Sequence, residues 1–151
     1  MFERSFVVEL TDNDFVISKS RRSSVVRMKK NGKNKSFGYV LVYAPWCHFC
    51  QEKELMWKDL ANQFHKKRTD FGIYVINSES NTARKIVSAL KIEGFPTFFH
   101  LGEDGSIEMY NAESTDLDSL MREASKHIRR TVLSALPSTG TGRGIRKNKK
   151  E

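Results

Sequence analysis

Two runs of the chain are apolar at nearly every position, and both have the length of a strand. Gly38 to Ala44 reads GYVLVYA, and Phe71 to Asn77 reads FGIYVIN. Successive strand side chains point to opposite faces of a sheet, so a run without alternation predicts a strand covered on both faces. Ser5 to Leu10 instead alternates and is β-branched, which predicts a further strand. Thr11 or Asp12 then stands as a cap for a short helix over Asn13 to Ser18. SSVVRM, ending at Met28, has the pattern of a short strand, and KKNGKNKS after it reads as an exposed turn around Asn31 and Gly32.

Beyond residue 48 the period changes. Phe49, Leu55, Met56, Leu60 and Phe64 are mostly three to five residues apart, which predicts a helix running to about Lys67. Ala83, Ile86, Val87 and Leu90 predict a second. FFHL, a turn at Gly105 and SIEMYN predict a strand pair. From about Asp116 to Leu136, one helical face carries Leu117, Leu120, Met121, Ala124 and Ile128. Strands and helices in this order give an α/β fold, a mixed sheet between helices.

Length and charge refine the picture. A chain of 151 residues fits one domain, expected over residues 1–136. Residues 137–151, ending GRGIRKNKKE, are too polar and glycine-rich to pack and are expected to be disordered. The net charge of +8 is unevenly spread. Val16 to Ser36 alone carries +8 with no acid, the last fifteen residues +4, and the rest is acidic at −4. A basic insert over about residues 19–36 and a basic tail therefore flank a mildly acidic body. Charge of this kind concerns partners rather than fold. It predicts at most nonspecific, salt-dependent contact with polyanions, because no aromatic residue within the insert offers a base to stack on. No apolar run approaches the ~20 residues of a membrane span. The start MFERSFVVEL lacks the basic and apolar regions of a signal peptide. The expectation is a cytoplasmic protein that contacts no membrane, with a virion setting if the chain is virus-encoded.

The only two cysteines sit in APWCHFC, Ala44 to Cys50, where a buried strand meets a helix. Three readings stand beside one another: a working dithiol, half of a metal site, or two small core residues. A metal site needs two more ligands from His48, His65, His100 or His127, none at paired spacing. A dithiol uses the position directly. The thiolate is the attacking species in disulfide exchange, and the free N–H groups of a helix N-terminus hold an anion. Two intervening residues put both sulfurs on the first turn, so that Cys47 attacks and Cys50 resolves.

VELTDNDF, LVYAPWCHFC and KIEGFPTFF together resemble a thioredoxin-fold domain, closest in style to those of protein disulfide isomerases, over about Ser5 to Ile128. The resemblance implies a thiol–disulfide oxidoreductase that reduces, forms or isomerises disulfides in protein substrates. It implies a recycling redox partner and no cofactor or metal. It also implies a cis bond between Phe95 and Pro96 beside the sulfurs, with Pro45, Trp46, His48 and Phe49 shaping the approach. Two departures from the family pattern matter. His48 and Phe49 fill the dipeptide where thioredoxins usually carry Gly-Pro and disulfide isomerases Gly-His. An imidazolium beside Cys47 would favour the thiolate and move the potential from about −270 mV toward about −180 mV. Leu41 and Val75 stand where the family usually places a buried acid and a lysine that deprotonate the resolving cysteine. The class-distinct alternative is a non-catalytic module of the same fold that docks to a protein or nucleic acid through the basic segments.

Overall fold

The computed structural model describes residues 1–19, 24–29, 37–110 and 115–135, with side chains to residue 128. Its strands are β1 (Val8–Glu9), β2 (Phe15–Lys19), β3 (Ser24–Met28), β4 (Phe37–Tyr43), β5 (Phe71–Asn77), β6 (Thr97–Leu101) and β7 (Ile107–Met109). Its helices are α1 (His48–Lys66), α2 (Arg84–Ala89) and α3 (Leu117–Ala135). Five strands form one mixed sheet in the order β1-β5-β4-β6-β7, while β2 and β3 form a separate hairpin. The two apolar runs are its central strands. β4 and β5 pair in parallel along their length, Phe37 opposite Phe71 and Tyr43 opposite Asn77. β6 pairs antiparallel on the other side of β4.

The lack of alternation in β4 and β5 follows from having two cores to fill. Tyr39, Leu41, Tyr43, Ile73 and Val75 face a cluster completed by α1 and α3. Val40, Val42, Tyr74 and Ile76 face a second, completed by Ile86 of α2 and by Phe15 and Met28 of the hairpin. Two large polar side chains inside are satisfied: Tyr39 donates to the Leu120 carbonyl at 2.8 Å and Trp57 Nε1 to the Tyr74 carbonyl at 3.0 Å. Gly38 and Gly72 are opposite one another in the ladder, and a Cβ on Gly38 would fall 2.0 Å from the Gly72 carbonyl oxygen. That close approach leaves room for glycine only.

Several elements differ from the sequence expectation. The strand expected over Ser5 to Leu10 is reduced to Val8–Glu9, extended by the Leu10 amide donating to the Val75 carbonyl at 2.8 Å. The helix expected over Asn13 to Ser18 is absent. A single 3-10 turn, Asp12–Asp14, is closed by the Thr11 amide donating to the Asp14 carboxylate at 2.8 Å. Phe15–Lys19 then runs as a strand, because Phe15 and Ile17 find Met28 and Val26 across the hairpin. The described part of the basic insert is therefore integral to the fold rather than a loop outside it. Met28 is buried in the second core, and its amide donates to the Gly105 carbonyl at 2.8 Å. Residues 20–23 and 30–36 of the insert lie outside the described residues, as does the tail 137–151. α2 is one short helix of six residues, entered through a 3-10 turn at Asn81–Ala83. Along α1 the buried face is Cys50, Trp57, Leu60, Ala61 and Phe64, whereas Leu55, which shares their spacing, is 79% exposed, and Phe49, expected to shape the site, is 65% exposed. Among the described residues no helix is long and apolar enough to cross a membrane.

Candidate dithiol site

The site is built where β4 runs out. Ala44 is still buried, and its carbonyl accepts the Cys47 amide at 3.0 Å, turning the chain out of the sheet. Cys47 is the N-cap of α1, with extended backbone dihedrals of −80° and 119°. Its sulfur takes the place of the usual capping oxygen and accepts the Cys50 amide at 3.3 Å. Both cysteines are free thiols. Gln51, one residue into the helix beyond Cys50, donates from Nε2 to the Pro45 carbonyl at 2.9 Å and ties the turn to the helix. The sequence reading passed over Gln51. An amide in the first turn of a helix that follows a Pro-containing loop is the signal that marks such a clamp.

The second wall is the loop before β6. The Phe95–Pro96 bond is cis. The Thr97 hydroxyl closes this loop by donating to the Gly94 carbonyl at 2.6 Å. The loop presents the Phe95 carbonyl to the Cys47 thiol, 3.6 Å away. Above the sulfurs the surface is apolar and open. Trp46, 66% exposed, meets Phe95 edge to face with ring centroids 5.8 Å apart, and Phe49 is exposed on the first turn of α1, its ring edge to face with His48. Pro45 is exposed at the rim. Trp46, Cys47 and Phe95 thus meet, with Pro96 bonded to Phe95, while Pro45 and Phe49 flank the motif as exposed residues. His48 points outward, 77% exposed, with Nε2 3.4 Å from the Glu52 carboxylate one turn on. That acid counters the positive field expected of His48.

The two thiols differ in setting. Cys47 lies at the surface of the core with a narrow opening to solvent, while Cys50 is fully covered. Burial pushes the Cys50 thiol up to about 12, with the hydrogen bond and charge of the Cys47 sulfur acting in the same direction and the Ala44 backbone opposing. Beneath them Leu41 and Val75 are register partners across β4 and β5, both fully buried in the same cluster as the cysteines. The buried acid and lysine of the family pattern are thus replaced together by a matched apolar pair. Replacing both partners avoids the strong penalty of one unpaired buried charge.

The other histidines lie away from the sulfurs. His65 stacks on Phe6 with centroids 3.6 Å apart, and His100 packs against His127 at 4.2 Å. Among the described residues no three His, Cys, Asp or Glu side chains are arranged to hold a metal ion.

Comparison with known proteins places this geometry in context. The thioredoxin family model matches residues 25–126. Protein disulfide-isomerase of Oryctolagus cuniculus is 34% identical over 79 residues, 51% of this chain and 14% of that protein. 5'-adenylylsulfate reductase 3, chloroplastic, of Arabidopsis thaliana is 26% identical over 115 residues, 76% of this chain and 24% of that protein. The chain therefore spans a quarter or less of the length of these relatives. The crystal structure of the Trx4 domain of ERdj5 superposes with a TM-score of 0.57 at 16% identity, over 83% of this chain and 98% of that one. That likeness is one of fold.

Proposed function

The chain belongs to the thioredoxin family, and from that premise we propose that it is a thiol–disulfide oxidoreductase acting on protein substrates through Cys47 and Cys50. The observation that carries the reading is the Cys47 sulfur at the N-terminus of α1, 3.3 Å from the Cys50 amide and 3.6 Å from the Phe95 carbonyl. Unpaired N–H groups at a helix N-terminus hold an anionic sulfur. The Cys47 thiolate attacks one sulfur of a substrate disulfide. The substrate S–S bond breaks, a mixed disulfide forms, and the departing substrate thiolate takes up a proton. The Cys50 thiol loses its proton and attacks the Cys47 sulfur, releasing the second substrate thiol and closing Cys47–Cys50. The substrate has gained two electrons and the protein has lost two. A recycling partner restores them, and the reverse sequence forms substrate disulfides. The Phe95 carbonyl and the exposed Trp46 and Phe49 hold an extended apolar segment over the sulfurs. No cofactor takes part. A cytoplasmic setting, kept reducing, favours the reductive direction.

Insulin reduction by dithiothreitol, followed by turbidity, tests this with Cys47→Ser as the blank. The wild type should accelerate precipitation many-fold over the variant. A wild-type rate equal to that of Cys47→Ser would remove the enzymatic reading. A docking module of the same fold would remain, the reading that the proton-inert Leu41–Val75 pair favours.

A further inference from the structure

A second concave site lies on the opposite face of the sheet, where α2 packs on the β2–β3 hairpin. It is a cavity of about 880 Å³ lined by Lys19, Ser24, Arg84, Lys85, Ser88 and Lys91, with Ile17 and Ala89 as its apolar floor. Its cations come from three separate places. Lys19 ends β2, directly across the ladder from Ser24. Arg84 and Lys85 begin α2, and Lys91 follows it. Among the described residues no acid lines the cavity. Among the described residues none of the four cations makes an ion pair. The neighbouring Asp12 carboxylate is already engaged, accepting the backbone amides of Lys85 and Ile86 at 3.3 and 2.8 Å. Lys91 is held at φ 54°, the left-handed region that favours glycine, yet the chain carries a lysine there.

Like charges gathered in one concavity repel, and a chain with 18 Asp and Glu residues has carboxylates it could have placed among them. The cluster is organised for an anion from outside. Its size is near the upper end of ligand cavities, its donors are cationic or hydroxyl, and no aromatic ring is present to stack a base. We propose that this pocket binds a run of phosphates, as in a nucleic-acid backbone or inorganic polyphosphate, without reading sequence. The site is separate from the dithiol and stands whether or not Cys47 and Cys50 turn over substrate.

Fluorescence anisotropy of the full chain with a labelled oligothymidine of about twenty nucleotides, from ~50 to ~200 mM salt, tests it. Each phosphate contact contributes about 0.7 to the slope of log affinity against log salt for single strands. Lys19→Gln/Lys85→Gln should lower that slope by about 1.4 and weaken binding roughly 25-fold at 0.1 M salt, with insulin reduction unchanged. If that variant fails to melt cooperatively, Lys91→Gly carries the test, since glycine suits φ 54°; the slope should fall by about 0.7. Displacement by polyphosphate at equal phosphate means that phosphate alone is read. Failure of polyphosphate to displace means that the nucleic-acid backbone is the ligand. An unchanged slope and affinity in the folded variant would overturn the assignment. So would displacement by poly-glutamate as effective as by polyphosphate, which would point to an acidic protein segment, and so would absence of binding at ~50 mM salt.

Discussion

Cys50 should set the pace of substrate release, and its burial gives the size of the effect. With a thiol at about 12, only about one molecule in 10⁵ carries the Cys50 thiolate at pH 7. An ordinary thiol near 8.5 has roughly one in 30. The deficit is about 3.5 orders of magnitude. Nucleophilicity rises with basicity at a slope of about 0.4–0.5, which returns some 1.5 orders. The net slowing of resolution is therefore roughly 100-fold. This is an upper bound for the step itself. In the mixed disulfide the Cys47 sulfur is bonded and uncharged, so its part of the upward push is gone and burial, the larger cause, remains.

The consequence is a resolution rate that climbs with pH. Far below its pKa, thiolate concentration rises tenfold per pH unit, so the rate should do the same from about pH 6 to 9 without levelling. Stopped-flow mixing of the reduced protein with excess oxidised glutathione separates the steps through the fluorescence of Trp46, whose ring borders the site. The first phase scales with glutathione and reports attack by Cys47. The second is independent of it and reports resolution by Cys50. Cys50→Ser should keep the first phase and lose the second, which assigns them. A second phase that is flat in pH, or that levels between pH 7 and 8, would refute the reasoning. It would mean that some group other than solvent hydroxide takes the Cys50 proton, although Leu41 and Val75 offer none.

Two further expectations concern the scaffold. His100 packs against Tyr39 and His127 with Nε2 unpartnered, and burial, then His127, lower its pKa, while Glu108 and Glu123 pull the other way. Protonation then favours the unfolded chain, so this group's contribution is full above about pH 6.5 and declines as the pH falls below it; urea midpoints at pH 7.5 and 5.5 should show a drop that His100→Phe reduces. Gly38→Ala would drive a Cβ to within 2.0 Å of the Gly72 carbonyl and force β4 from β5, so the urea midpoint should report a loss of about 1–3 kcal/mol or more, and an unchanged midpoint would show that the strands separate without strain.

The central strands and the dithiol were legible in the sequence for a shared reason. Each is fixed by a local pattern with one physical meaning: an unalternating apolar run of strand length, and two cysteines three apart at a strand-to-helix join. The hairpin was not. Thr11 to Asp14 carries a strong local capping signal, whereas the partner that makes Phe15–Lys19 a strand is Ser24–Met28, and pairing with a separate segment leaves no mark in a short window. Leu55 misled for a different reason. A period count treats every apolar residue on a helix as core, so a residue that faces outward, like Leu55, is counted as buried. Leu41 and Val75 were located by resemblance alone. Their direct pairing, which makes the double replacement self-consistent, needed the register of β4 on β5.

That register also accounts for the division of the molecule. Odd-numbered residues of β4 and β5 face the α1 cluster, where the cysteines sit among apolar side chains. Even-numbered residues face the α2 cluster, and the Lys19, Arg84, Lys85 and Lys91 cavity lies outside it. Among the described residues the face beneath the sulfurs carries no buried charge that could take the proton of Cys50 through the sheet. The cations, which would raise the thiolate population if they stood near the sulfurs, are gathered on the other side. The alternation of the two strands thus sets the dithiol and the cationic cavity on opposite faces of the sheet.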